Sequence, residues 1–281
     1  MPVEWDTLHL EYDPLKAGIG RWIRNSPVIR RLFYYLLGRF FLRERYVKRE
    51  LRRIASSGTV IREIWDAGSG YGQYSWFCAR LFPQATILGT DVKQEQVTNC
   101  TRFCTQMRLD RCRFEVGDLQ KTSYDTRFDL ILSVDVMEHI ADDAAVFRNF
   151  HRSLRPGGRC LIHTPARPPK SQEEISPEGT RSVVAEHVRE GYTPDEIHQR
   201  LEQTGFVVTR FAFTYGLAGF KAWKLLQGYP MRWLHVSRWA WLFLPFYYAV
   251  VCPIAEYWMQ RDLAADNPTG GGILVLAEKQ P

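Results

Sequence analysis

The sequence predicts an α/β domain built on a mostly parallel sheet with helices on both faces. Three observations predict it. From residue 58 onward, short apolar runs of strand length alternate with helical patterns. A glycine turn separates the first of these strands from its helix. Carboxylates then fall at the ends of successive strands, where open α/β sheets bind ligands.

Residues 1–20 read as irregular. Over 29–54, apolar residues recur at helical spacing (Ile29, Leu32, Phe33, Leu36, Leu37, Phe40, Val47, Leu51, Ile54) with arginines between them. This predicts a basic amphipathic helix, or two helices broken near Gly38. Strands are expected at 63–67, 85–91, 111–117, 128–135, 158–164, 206–214 and 272–278. The RPGG run at 155–158 is a turn feeding the fifth of these strands. A polar loop occupies 166–191, and Thr193 with Pro194 opens the next helix.

Residues 215–271 break the alternation. They hold five of the nine Trp and 13 of the 38 aromatic residues. Within them, 239–255 is a run of 17 uncharged residues carrying Pro245 and Pro253. A membrane-spanning helix wants about 20 apolar residues, so the run is expected to be buried or interfacial. Three segments result: a basic helical segment at 1–57, a ligand-binding domain formed by 58–214 with 272–281, and an aromatic-rich helical insertion at 215–271.

With 281 residues, 45% hydrophobic and 24% charged, the chain has ordinary globular chemistry and enough length for a substantial core. The net charge of +6 is uneven. Residues 21–53 contain eleven Lys/Arg and two Glu, a local +9, and the remainder is −3. Basicity confined to one segment argues against a whole-surface nucleic-acid binder. The six Cys form no CxxC pair, and the acidic N-terminus lacks an apolar signal-peptide core, so a reduced cytoplasmic compartment is expected. Cys100 and Cys104, four apart on a helix, read as packing residues.

The glycine loop, EIWDAGSGYG at 63–72, carries the chemistry. Glycines admit a ligand close to the backbone, and the following helix offers free N–H groups. A dinucleotide GxGxxG would need Gly at position 73, where this chain has Gln73. Gly68, Gly70 and Gly72 instead follow the acidic Asp66. Asp91, at the end of the second strand, can accept both ribose hydroxyls of an adenosine. Asp118 ends the third strand, placed for an adenine amino group. Asp135, Glu138 and His139 follow the fourth.

DAGSGYG, GTD, VGDL, FDLILSVDVMEHI and LRPGGRCLIHTP together resemble a class I S-adenosylmethionine-dependent methyltransferase, over about 61–208 plus the last strand. The resemblance implies a Rossmann-like seven-stranded sheet of order 3-2-1-4-5-7-6, the seventh strand antiparallel. It implies that Asp66 and the Gly68, Gly70 and Gly72 turn hold the methionine part of S-adenosylmethionine. Asp91 would take the ribose, Asp118 and Leu119 the adenine, and Ser133 would face the methionine end. VMEHI and EHVREGYTPDEIHQRLEQTGF resemble the ubiquinone- and menaquinone-biosynthesis branch. In its O-methylating members two acids and a His of this stretch are associated with a divalent metal. The matching positions are Asp135, Glu138 and His139, with Asp in place of the usual Glu, and no metal is assigned.

Methyl transfer to a hydroxyl requires a base for its proton. His139, His163 and His187 are the candidates, and His139 and His187 are preferred, with Glu138 as an orienting or helix-capping residue. Each histidine also has a purely structural reading, as a strand cap or a satisfied core residue. The favoured function is methylation of a lipophilic small-molecule acceptor, O-methylation preferred, at an anionic membrane surface on the cytoplasmic face. One rival is an RNA methyltransferase holding phosphates with the basic segment. Another is a binding module that keeps the fold without catalysis. DNA is not expected as a partner, since no NPPY-type stretch is present, and the oligomeric state is left open.

Overall fold

The computed structural model describes residues 26–167 and 188–280. Its strands are β1 (Glu63–Ala67), β2 (Thr86–Asp91), β3 (Cys112–Val116), β4 (Phe128–Val134), β5 (Leu154–Pro165), β6 (Phe206–Thr214) and β7 (Gly272–Lys279). They form one sheet of order β3-β2-β1-β4-β5-β7-β6, with β7 antiparallel to both neighbours and the other pairings parallel. This is the expected topology. β5 is longer than expected because the RPGG run is absorbed into it, with Gly157 at φ 74° and a register shift against β4.

Strand alternation divides the core in two. Ile64, Leu130, Leu132, Leu161, Leu274 and Leu276 face one layer. Trp65, Ile131, Ile162, Ile273 and Val275 face the other. The second layer is closed by α5 (Asp143–Ser153) and α6 (Pro194–Gln203). α6 starts as expected, with a capping box between Thr193 and Glu196 over Pro194.

The first layer is covered by α3 (Gln73–Leu81), α4 (Gln94–Gln106) and two N-terminal helices, α1 (Pro27–Phe40) and α2 (Leu42–Ser56). The expected break near Gly38 falls at Phe41, whose extended backbone (φ −113°, ψ 116°) ends α1 and starts α2. The insertion adds α7 (Leu217–Trp223), a π-helical turn, α8 (Tyr229–Val236), a 3₁₀ turn and α9 (Leu244–Ala264).

The insertion is joined to the N-terminal helices. Arg45 pairs bidentately with Glu256 of α9 at 2.5 and 2.7 Å, and Arg39 joins the same carboxylate. Asp262, fully buried, accepts from Tyr46 Oη and from the Gly219 amide, each at 2.8 Å. These partners engage part of the charge of the basic segment within the protein. Arg43 is bound to Asp135, Lys48 to Glu44 and Arg53 to Glu50, while Arg49 donates to the Leu263 carbonyl. Arg30 is buried.

Candidate functional site

The glycine turn lies at the carboxyl end of β1. Gly68, Gly70 and Gly72 all take left-handed backbone (φ 81°, 50° and 72°). At Gly68 a Cβ would stand 2.4 Å from Val136, so only glycine lets the turn lie against the β4 end; at Gly70 nothing stands within 4 Å. The amides of Gly68 and Ser69 both donate to the Thr90 carbonyl, at 2.9 and 2.8 Å. Asp91 accepts from the Gly70 amide at 2.9 Å and from the Lys93 amide at 2.8 Å. It is therefore fixed between the loop and the start of α4. Each carboxylate oxygen keeps further acceptor capacity.

Asp66 lies beneath the turn rather than in it. It is 2% exposed and accepts from Ser75 Oγ at 2.5 Å. Burial pushes its carboxyl up to about 6, against the hydrogen bonds from Ser75. Asp118 is half-buried and accepts from the Gln120 amide at 3.0 Å, and Leu119 is buried beside it. Ser133, fully buried near the end of β4, has an unpartnered hydroxyl, as does Ser69 in the turn. Two orphaned buried hydroxyls and an open position at Gly70 fit a polar ligand at this place.

The end of β4 holds a second group of residues. Asp135 adopts φ 53°, a left-handed conformation for which a non-glycine residue pays strain. Its carboxylate accepts from Arg43 and meets His163 Nδ1 at 2.7 Å. His163 Nε2 is 3.1 Å from Thr214 Oγ1. Burial alone would raise the Asp135 carboxyl; Arg43, then His163, outweigh it and hold it well below the usual carboxylate range. Tyr215, also left-handed at φ 56°, accepts the Arg43 amide at 3.1 Å.

Glu138 is 1% exposed and accepts from Thr164 Oγ1 at 3.2 Å. Burial, then the charge of Asp135, push its carboxyl up to about 8. Capping of the next helix falls to Asp142, which accepts the Ala145 amide at 3.0 Å. His139 is exposed on the 3₁₀ turn Met137–His139. His163 is held in the core by partners on both ring nitrogens. His187 lies outside the described residues. Among the described residues, no group of three His, Cys, Asp or Glu is placed to hold a metal ion.

The sequence gives no sign of two contacts. Arg43 comes to Asp135 from the N-terminal helices, 92 residues away. Arg30 reaches the glycine loop with every donor arm used. It bonds the Tyr71 carbonyl (2.6 Å), the Asn99 carbonyl (2.7 Å), Cys100 Sγ (3.0 Å) and Tyr34 Oη (2.7 Å). Tyr34 Oη in turn donates to Tyr71 O at 2.5 Å. Both arginines sit in a pattern that reads only as an amphipathic helix.

Residues 62–205 match the family model described as "Methyltransferase domain". Among curated relatives, phosphoethanolamine N-methyltransferase 3 of Arabidopsis thaliana is 32% identical over 111 residues, 39% of this chain and 22% of its own length. A ubiquinone biosynthesis O-methyltransferase of Psychrobacter cryohalolentis is 28% identical over 129 residues, 45% of this chain and 49% of its own. The chain thus spans between about a fifth and a half of these relatives. Among solved structures, Haemonchus contortus phosphoethanolamine N-methyltransferase 2 in complex with S-adenosyl-L-methionine superposes with a TM-score of 0.58 at 16% identity, over 94% of this chain and 60% of that one. The [4+2]-cyclase SpnF does so with a TM-score of 0.54 at 18% identity, over 82% and 80%. At these identities the structural likeness establishes the fold.

Proposed function

The chain belongs to the methyltransferase-domain family; on that premise we propose that it is an S-adenosylmethionine-dependent methyltransferase that methylates a lipophilic small molecule at a membrane surface. The observation carrying the proposal is the exposed apolar face of the insertion. Trp239 is 73% exposed, Phe243 69% and Phe246 76%, with Trp241 and Val250 exposed beside them. Monomeric soluble domains rarely leave such a concentration of large apolar side chains in water. Aromatic rings suit the boundary between headgroups and acyl chains. No helix among the described residues is long and apolar enough to cross a membrane, so the proposed contact is lateral.

The insertion starts at the catalytic end of the sheet. β6 ends at Thr214, which touches His163, and Tyr215 touches Arg43. An acceptor delivered along the insertion would therefore arrive beside Asp135. Relatives named for N- and O-methylation both match. O-methylation and the quinone-type branch remain our preferred reading, on the strength of the VMEHI stretch.

S-adenosylmethionine, when bound, supplies an electrophilic methyl group for in-line displacement. The turn at Gly68, Gly70 and Gly72, with Ser69 and Ser133, would hold its methionine end. Asp66 would act from beneath through Ser75. Asp91 would hold the ribose, and Asp118 with Leu119 the adenine. His139 is the proposed acceptor of the hydroxyl proton, a role shared in the sequence with His187. Glu138, uncharged at neutral pH because of its raised pKa, keeps a second negative charge away from Asp135. Asp135, ionised and pinned by Arg43 and His163, would shape the acceptor side.

The test is vesicle co-sedimentation combined with methyl-label transfer to lipid extracts. Binding should fall when Trp241, Phe243 and Phe246 are made polar, and labelled product should be extractable into organic solvent. Label that stays in the aqueous phase would refute the lipophilic acceptor. The RNA alternative loses support, because most of the basic segment is engaged within the protein.

A further inference from the structure

A cavity of about 510 Å³ lies between α1, α2 and α3, on the outer side of the helix that follows the glycine loop, which it borders through Gln73 and Tyr34. The volume is within the roughly 300–1,000 Å³ usual for small-molecule pockets. Three of its lining residues are cationic (Arg31, Lys48 and Arg80), and no carboxylate lines it. Trp76 and Phe77 also line it, with Arg80 5.5 Å from the Trp76 ring centre and Lys48 Nζ 5.6 Å from that of Phe77. Gln73 also lines it and carries a buried carbonyl oxygen without a partner. Lys48 has Glu44 as counter-ion at 2.7 Å, whereas Arg31 and Arg80 have no carboxylate partner among the described residues.

The rim is apolar and exposed. Val28, Leu32 and Tyr35, spaced to share one face of α1, line the cavity and are 71%, 53% and 67% exposed. Arg30 on the opposite face of α1, and Tyr34, which also lines the cavity, are buried against the glycine loop. The exposed stripe therefore belongs to a rigidly held helix. α1 also packs on the insertion, through Phe40 against Tyr248 at 5.1 Å and Arg39 with Glu256.

We propose that this cavity is a binding site for the anionic headgroup of a phospholipid, with the α1 stripe set into the acyl boundary above it. The charge is complementary to a phosphodiester, and bidentate guanidinium forks suit phosphate oxygens. A free phosphate would satisfy the cations but leave the apolar rim in water; a bilayer lipid satisfies both. The site rests on the membrane reading above and adds a headgroup preference to it.

The experiment uses the whole chain with vesicles of phosphatidylcholine alone, or phosphatidylcholine mixed equally with phosphatidylglycerol. The wild type should bind the mixed vesicles more tightly. Replacing Arg31→Gln and Arg80→Gln together should weaken binding to mixed vesicles by about thirtyfold, taking about 1 kcal/mol per cation near an anionic surface. Binding to phosphatidylcholine alone should not change. A control pair at exposed positions elsewhere, Arg62→Gln with Arg113→Gln, should weaken binding much less. Equal losses from the two pairs would show diffuse attraction and overturn the site. So would a wild type that binds vesicles with no anionic preference, although the membrane reading would then survive. If calorimetry shows soluble glycerol phosphate binding the cavity as tightly as the vesicles do, the site serves free phosphates and the lipid assignment fails. No vesicle binding at all would instead remove the membrane reading itself.

Discussion

Glu138→Gln should stabilise the protein above neutral pH while changing little at pH 5. Glu138 is 1% exposed, and its carboxyl is pushed from 4.5 up to about 8 by burial first and by the charge of Asp135 second. A carboxyl with a raised folded-state pKa contributes most below its unfolded pKa of 4.5, and that contribution is lost as pH rises through 8. One pKa unit corresponds to about 1.4 kcal/mol, so between pH 5 and pH 8 the wild type should lose about 3 kcal/mol through this residue alone. Glutamine keeps an oxygen to accept from Thr164 and has no proton to lose. The backbone carbonyl of residue 138, which accepts the Val188 and Arg189 amides, is untouched. Asp66 titrates in both proteins and cancels in the difference. Urea unfolding followed by circular dichroism at pH 5, 6, 7 and 8, at fixed ionic strength, measures the effect. The midpoint difference between variant and wild type should grow steadily with pH. Parallel profiles across that range would show that Glu138 ionises in the folded state as freely as in the unfolded, and would refute the reasoning.

Four other outcomes are expected. Asp91→Ala removes the carboxylate that ties the Gly70 and Lys93 amides and would hold the ribose, so calorimetry should show S-adenosylmethionine affinity falling by at least tenfold, each lost charge-assisted bond contributing about 1.5–3 kcal/mol. Arg30→Met leaves the Asn99 carbonyl without its buried donor and should cost about 3 kcal/mol of stability, with weaker cofactor binding as the glycine loop loosens; an unchanged denaturation midpoint would contradict this. Arg43→Met removes the main partner of Asp135, whose depressed pKa contributes stability above its unfolded value and loses it as pH falls. The variant should therefore be less stable at neutral pH and show a shallower acid limb in acid denaturation. If a hydroxyl is methylated, His139→Ala should lower turnover by about a hundredfold with cofactor affinity intact, and full retained activity across pH would remove His139 from the reaction.

The fold was legible because its signals are local and periodic. Short apolar runs such as the one holding Ile64 and Trp65, or the one holding Leu274 and Val275, mark strands buried on both faces. The Gly68, Gly70 and Gly72 turn and the acids at positions 91 and 118 are short motifs set by the backbone geometry of one strand-to-helix junction. The family resemblance then supplied the strand order, since pairing between distant strands leaves little local trace. Helix ends shifted where a local rule lost to packing: the chain breaks at Phe41 rather than at Gly38, with Arg45 turning back to donate to the Gly38 carbonyl at 3.0 Å.

By itself, the sequence determined the sheet, the glycine turn and the existence of an aromatic insertion. Only the tertiary structure decided what the charges do. Arg30 and Arg43 belong to the same arginine-rich pattern as Arg31, yet the first closes on the glycine loop, the second neutralises Asp135, and the third faces an open cavity. Glu138 and His139 are neighbours in the chain, yet one is buried against Thr164 and the other is exposed. A side chain's charge state and partner depend on which distant element packs against it. Sequence periodicity tells which face of a helix turns inward, but not what is waiting there.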